Sequence, residues 1–130
     1  MAATYLDSSA IVKLAVREPE SAALRRYLRS HRPLLSSALA RTEVLRALLP
    51  AGKDAVARGR DVLVTLELVR VNDRVLNAAG ALLPAELRSL DAIHLATARQ
   101  LGIDLRSVVT YDERMADAAK CLGHRVESPR

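Results

Sequence analysis

Four acidic residues stand where a carboxylate can do more than solvate a surface. Asp7 closes the apolar run "ATYLD", Glu43 lies inside "ALARTEVLRALL", Asp91 opens "SLDAIHLATARQLG", and Asp112 follows "SVVTY". In an open parallel α/β sheet, sites form beyond the carboxyl ends of the strands. Asp7 and Asp112 occupy such ends, so both belong to one rim if their strands run the same way. Asp91 falls near the start of a helix, where complementing the helix dipole, by about 0.3–1 kcal/mol, is reason enough for an acid. Its helix also places Asp91, His94, Leu95 and Ala98 on one side at i, i+3, i+4, i+7 spacing. That stripe turns the acid toward the protein body. Glu43 reads as mid-helix, and most such glutamates are solvated. Leu39, Ala40 and Ala47 one turn away set this one apart, with Arg46 at i+3.

Carboxylates gathered in one pocket repel by roughly 3 kcal/mol per pair at about 5 Å and an effective dielectric near 20. Such a cluster takes up protons or binds a cation. An all-carboxylate set without a Cys/His cluster favours Mg²⁺ or Mn²⁺ over zinc. Such a cation lowers the pKa of a coordinated water, orients it for in-line attack on a phosphodiester, and stabilises the leaving oxygen. This pattern alone does not name an enzyme.

The elements that must position these acids follow one another in a simple order. "ATYLD" predicts a strand, and "SSAIVKLAV" a helix capped by Ser8 or Ser9. Pro19 restarts the chain before "ESAALRRYLRSH", an amphipathic helix with Leu24 and Leu28 on one face. After Pro33, "LLSS" predicts a strand, and the helix "ALARTEVLRALL" closes at Pro50 and Gly52. "KDAVARGRDVLVTL" continues as helix, "ELVRV" as strand, and "NDRVLNAAGALL" as a helix capped by Asn72. The helix "SLDAIHLATARQLG", the strand "SVVTY", the helix "DERMADAAKCLG" and the strand "HRVES" complete the chain. This alternation predicts a parallel sheet with helices on both faces. Nothing suggests a repeat or a linker, so residues 1–130 are expected to form a single domain.

Half of the residues are hydrophobic, which excludes a disordered chain, yet Phe and Trp are absent and Leu, Ala and Val must fill the core. The longest uncharged stretch, Val75 to Ala85, is too short to cross a bilayer. "MAATYLD" does not have the form of a signal peptide. One cysteine, Cys121, excludes an internal disulfide and fits a reducing cytoplasm. A net charge of +5 and a pI near 10 suit a polyanionic partner such as nucleic acid. Seventeen of the 20 basic residues are Arg and none form a dense run, so codon bias explains the charge equally well.

The stretches "YLDSSAIVKL", "ARTEVLRAL", "LDAIHLATA" and "TYDERMADAA" resemble, in order and spacing, a PIN-domain protein of the VapC type. Such proteins are the toxins of VapBC toxin–antitoxin pairs. The resemblance covers nearly the whole chain, and "LDAIHLATA" followed by a T-x-D element is its most specific part. It implies an α/β/α fold with a five-stranded parallel sheet in order 3-2-1-4-5, and a Mg²⁺- or Mn²⁺-dependent endoribonuclease. The family's four acids fall on Asp7, Glu43, Asp91 and Asp112, its supporting hydroxyl on Thr110, and the small hydroxyl after the first acid on Ser8. Asp7, Asp91 and Asp112 are then the expected metal ligands, with Glu43 holding a coordinated water or a second ion. Asp117, at i+5 from Asp112, is expected to point away. The resemblance also implies an RNA substrate, a cognate VapB-like antitoxin that blocks the site, and a homodimer.

Other residues have plainer explanations. His94 is expected to be packed and hydrogen-bonded rather than a general base. Arg41, Arg46 and Arg114 are candidates for phosphate contacts, and Tyr5 and Tyr111 for base stacking, each against ordinary surface or packing. A receiver-like phosphoacceptor fits poorly, since "LDSS" has one acid and Lys120 falls inside a helix. A nuclease acting on another nucleic acid or in RNA processing, and a PIN-like module that binds RNA or a partner without cutting, remain as alternatives.

Overall fold

The computed structural model describes residues 2–130; Met1, the first residue of the expected domain, lies outside the described residues. Strands β1 (Ala3–Leu6), β2 (Leu34–Ser37), β3 (Glu67–Val69), β4 (Leu105–Val109) and β5 (Val126–Glu127) form one sheet in order β3-β2-β1-β4-β5. Every pairing is parallel, as the alternation predicts. Helices α1 (Ser8–Ala15), α2 (Ser21–Arg29), α3 (Ala40–Leu48), α4 (Lys53–Val64), α5 (Asp73–Gly80), α6 (Ser89–Arg99) and α7 (Glu113–Cys121) make the crossovers.

The period-two alternation of a strand divides the core. Leu6 of β1 and Val109 of β4 face a cluster built from α1, α2, α3 and α4. Ala3, Tyr5 and Val108 face the other way, toward Ala98 of α6. Helix α7 packs against α6 through Leu95, Met115, Ala118 and Ala119. The middle strands are therefore covered on both faces, and β1 and β2 are buried throughout.

Helix α3 is fixed by an unusually close neighbour. Gly59 of α4 faces it, and a Cβ there would fall 2.4 Å from Leu48 Cδ1 and 3.4 Å from Leu45 Cδ2. A side chain there would force the buried Leu48 to shift. Helix α6 departs from the one-sided stripe expected of it. Residues His94 to Ala98 are all buried, because α5 covers α6 from outside while the sheet supports it from within. Small alanines make such all-round burial possible.

Two element ends also depart from expectation. The N-cap of α1 is Asp7 rather than Ser8 or Ser9, its side chain accepting from the Ala10 N–H. Helix α5 stops at Gly80, short of "ALL".

Candidate active site

Each of the four acids stands at the start of a helix. Asp7 and Asp112 are the N-caps of α1 and α7, and Glu43 and Asp91 lie in the first turns of α3 and α6. Glu43 is thus not mid-helix: residues 38–39 form a turn and the helix begins at Ala40. Unpaired N–H groups and the helix dipole favour negative charge at such positions. Because β1 and β4 are parallel neighbours, Asp7 and Asp112 share one rim of the sheet.

Asp7 is the most enclosed of the four, only 4% exposed. Its Oδ2 accepts from Thr110 Oγ1 at 2.5 Å; its Oδ1 accepts from Ser9 Oγ at 2.7 Å and from the Ala10 N–H at 3.1 Å. The same two hydroxyls accept backbone N–H groups beyond β4, Thr110 from Asp112 at 3.1 Å and Ser9 from Tyr111 at 3.0 Å. The ends of β1 and β4 are thereby tied together. Burial pushes the Asp7 carboxyl up, and these hydrogen bonds oppose the rise.

Glu43 is held by a second group. Ser8 Oγ donates to its Oε1 at 2.7 Å, and His94 Nε2 lies 2.6 Å from the same oxygen. His94 Nδ1 is 2.7 Å from the Tyr5 hydroxyl. Burial pushes the Tyr5 phenol far up, so it keeps its proton. A Glu43 carboxylate can only accept, so Nε2 carries the N–H that faces it. Burial works against the Glu43 carboxylate, but the hydrogen bonds from His94 and Ser8 outweigh it and hold the acid below its usual range. His94 is packed and hydrogen-bonded, as expected. Tyr5 is 1% exposed and cannot stack a base, which overturns that option. Tyr111 donates to the Pro129 carbonyl at 2.7 Å and stacks beneath Lys13, whose Nζ is 4.8 Å from the ring centroid.

Asp91 and Asp112 form a more open pair. They line one cavity of about 350 Å³ together with Arg88, Glu113 and Arg114. Asp112 Oδ1 accepts the N–H groups of Arg114 at 2.9 Å and Met115 at 3.2 Å. Partial burial pushes the Asp91 carboxyl up, and the charge of Asp112 adds to it, followed by those of Asp7 and Glu43; His94 opposes. One carboxyl thus feels the other three.

Of the expected arginines, Arg114 lines the acid cavity, whereas Arg41 lines a different one with Leu63, Val64, Leu66 and Leu68, and Arg46 is exposed on α3. Asp117 does not point away as expected. It lines a second cavity that also contains Asp91, Arg88 and Arg114. Counting i+5 from Asp112 misplaces it, because Asp112 has extended backbone and precedes the helix. The useful signal is the spacing of Arg114, Asp117, Ala118 and Cys121, which is i, i+3, i+4, i+7 on one face of α7. Arg88, the N-cap of α6, was also not anticipated.

The donor set fits a hard divalent cation: oxygen ligands, net negative charge, and repulsion felt at Asp91. Among the described residues, no three His, Cys, Asp or Glu side chains stand close enough to grip one ion as arranged. The set fits in chemistry and is open in geometry.

A family model for the PIN domain matches residues 4–120. Ribonuclease VapC46 of Mycobacterium tuberculosis (strain ATCC 25618 / H37Rv) is 67% identical over 129 residues, covering 99% of each chain. Ribonuclease VapC47 of Mycobacterium tuberculosis (strain CDC 1551 / Oshkosh) is 36% identical over 130 residues, covering 96% of each. Among solved structures, Mycobacterium tuberculosis VapC20, a sarcin–ricin loop cleaving toxin, aligns with a TM-score of 0.75 at 17% identity, over 89% of this chain and 95% of that one. A toxin–antitoxin complex from Klebsiella pneumoniae aligns with a TM-score of 0.75 at 22% identity, over 98% of each chain. At those identities the two structures speak for the fold.

Proposed function

This chain belongs to the PIN-domain family and is a VapC-type ribonuclease toxin, and from that premise we propose that residues 1–130 act as one metal-dependent endoribonuclease domain. The observation that carries the mechanism is the gathering of Asp7, Glu43, Asp91 and Asp112 at four helix starts, with the charges of the other three felt at Asp91. Asp7, Asp91 and Asp112 would hold a divalent cation, Mg²⁺ or Mn²⁺. When bound, it supplies Lewis-acid activation of water and neutralises charge on the reacting phosphodiester. Thr110 and Ser9 aim the Asp7 carboxylate. Glu43, ionised and fixed by His94 and Ser8, orients the attacking water. Arg88 and Arg114, beside the open pair, bind the phosphate oxygens.

VapC-type membership supports a cognate VapB-like antitoxin as partner and a homodimer as the assembly. Among the described residues, no helix is long and apolar enough to cross a membrane; a cytoplasmic location belongs to the same proposal. The test is cleavage of RNA by purified protein with Mg²⁺, with Mn²⁺ and with chelator, beside Asp7→Asn. Metal-dependent cutting by the parent alone supports the reading, and equal cutting in all arms ends it.

A further inference from the structure

The second cavity beside the acids has a composition that the acid chemistry does not call for. It measures about 300 Å³ and adjoins the acid cavity, with Arg88, Asp91 and Arg114 in the walls of both. Beyond those shared residues the wall is apolar at Leu87, from the segment before α6, and at Ala118 of α7, and Glu86 and Asp117 each supply a carboxylate. We propose that this cavity is a nucleobase subsite, holding the base next to the scissile phosphate of the RNA. The proposal rests on the ribonuclease reading above and adds where the substrate is read.

Three observations converge on that occupant. The volume suits a base with part of its ribose, and ligand sites are typically apolar hollows with a few placed polar groups. Arg88 and Arg114 stand between the two cavities, where a phosphate joining the base's nucleotide to the cut position would lie. Asp117 offers acceptor oxygens to a base edge, as carboxylates do for exocyclic amines and ring N–H groups. Single-stranded RNA is read by bases splayed out of the stack into such hollows. The carboxylate favours an edge rich in donors, and guanine, whose N1–H and N2–H₂ lie side by side, ranks first. An acidic peptide is disfavoured by Asp91 and Asp117 in the wall.

The lone cysteine provides a reporter. Cys121 is exposed and lines this cavity. In chelator, where no cutting is expected, a saturating short oligoribonucleotide should slow alkylation of Cys121 by iodoacetamide several-fold. Oligonucleotides with an abasic residue at one position should lose that protection. In Mg²⁺, a single abasic residue walked along a cleaved RNA should lower kcat/KM by about 10- to 100-fold at one position flanking the cut, the scale of one well-stacked base. Cys121→Phe, which fills the cavity from an exposed position, should lose a similar factor on intact RNA and little more on that abasic RNA. Asp117→Asn should change which base is preferred at that position. A flat abasic walk, or equal losses for Cys121→Phe on intact and abasic RNA, would overturn the subsite. If the parent cuts no RNA, the ribonuclease reading fails by itself, and the alkylation arm decides the subsite: no base-dependent protection overturns it.

Discussion

The acid site has a fixed half and a free half. Asp7 and Glu43 are tied by hydrogen-bond partners: Thr110, Ser9 and Ala10 around one, His94 and Ser8 around the other. Asp91 and Asp112 sit in an open cavity, anchored by helix starts and repelling each other. Hydrogen bonds to the charged form stabilise a carboxylate. The fixed half is therefore preorganised, and the free half depends on a cation to close it. This explains how four carboxylates gather without any three forming a ready-made chelate.

Breaking the fixed half should have the largest effect. Asp7→Asn keeps a good N-cap and should leave the fold intact while abolishing RNA cleavage and any growth arrest on expression. Partners that only orient a ligand typically contribute about 10–100-fold, so loss of this ligand should exceed about 100-fold, measured by kcat/KM beside circular dichroism. His94→Leu removes the donor to Glu43 and should cost about 10–100-fold by the same scale. His94→Gln can return an N–H to Glu43 and should keep most activity. A loss beyond about 100-fold in His94→Gln would instead make His94 a general acid or base.

The free half is probed through stability. Asp112→Asn keeps the α7 cap but removes a charge that bears on Asp91. In chelator at neutral pH its melting temperature should rise, with a stability gain of about 1 kcal/mol at most after solvent screening. Millimolar Mg²⁺ or Mn²⁺ should stabilise the parent more, since a ligand specific to the folded state adds RT ln(1 + [L]/Kd). The two proteins then change order between buffers; indifference of both to metal would separate the acids into unrelated surface charges. The smallest effect concerns pH. The Asp91 carboxyl is raised by burial and by Asp112, so the folded state holds its proton more tightly than the unfolded state does. Its contribution to stability falls as pH rises from the ordinary carboxylate value through the raised one. Asp91→Asn should flatten that part of a stability–pH curve measured in chelator.

Much of this was legible in the sequence, unevenly. The sheet order and the places of Asp7, Asp91 and Asp112 at element ends follow from local patterns and the resemblance. The partner of Glu43 does not, because His94 lies 51 residues away and only the packing of α6 under the sheet brings them together. Ser8 was expected near the first acid, but its bond goes to Glu43, while its neighbour Ser9 serves Asp7. Which serine serves which acid depends on where α1 begins, and a capping Asp7 shifts that start by a residue from a serine cap. Asp117 was lost to the same sensitivity at α7. Helix phase counted from a cap residue is unreliable where the cap itself is extended.

The sheet order also sets when the site exists during synthesis. β4, the partner of β1, is made long after it, and the Thr110 hydroxyl that meets Asp7 comes from 103 residues downstream. A nascent chain that has not reached Asp112 cannot assemble the rim, however well α1–α4 have condensed around β2. Asp7 and Glu43 are therefore already on the growing chain well before the residues that complete their site.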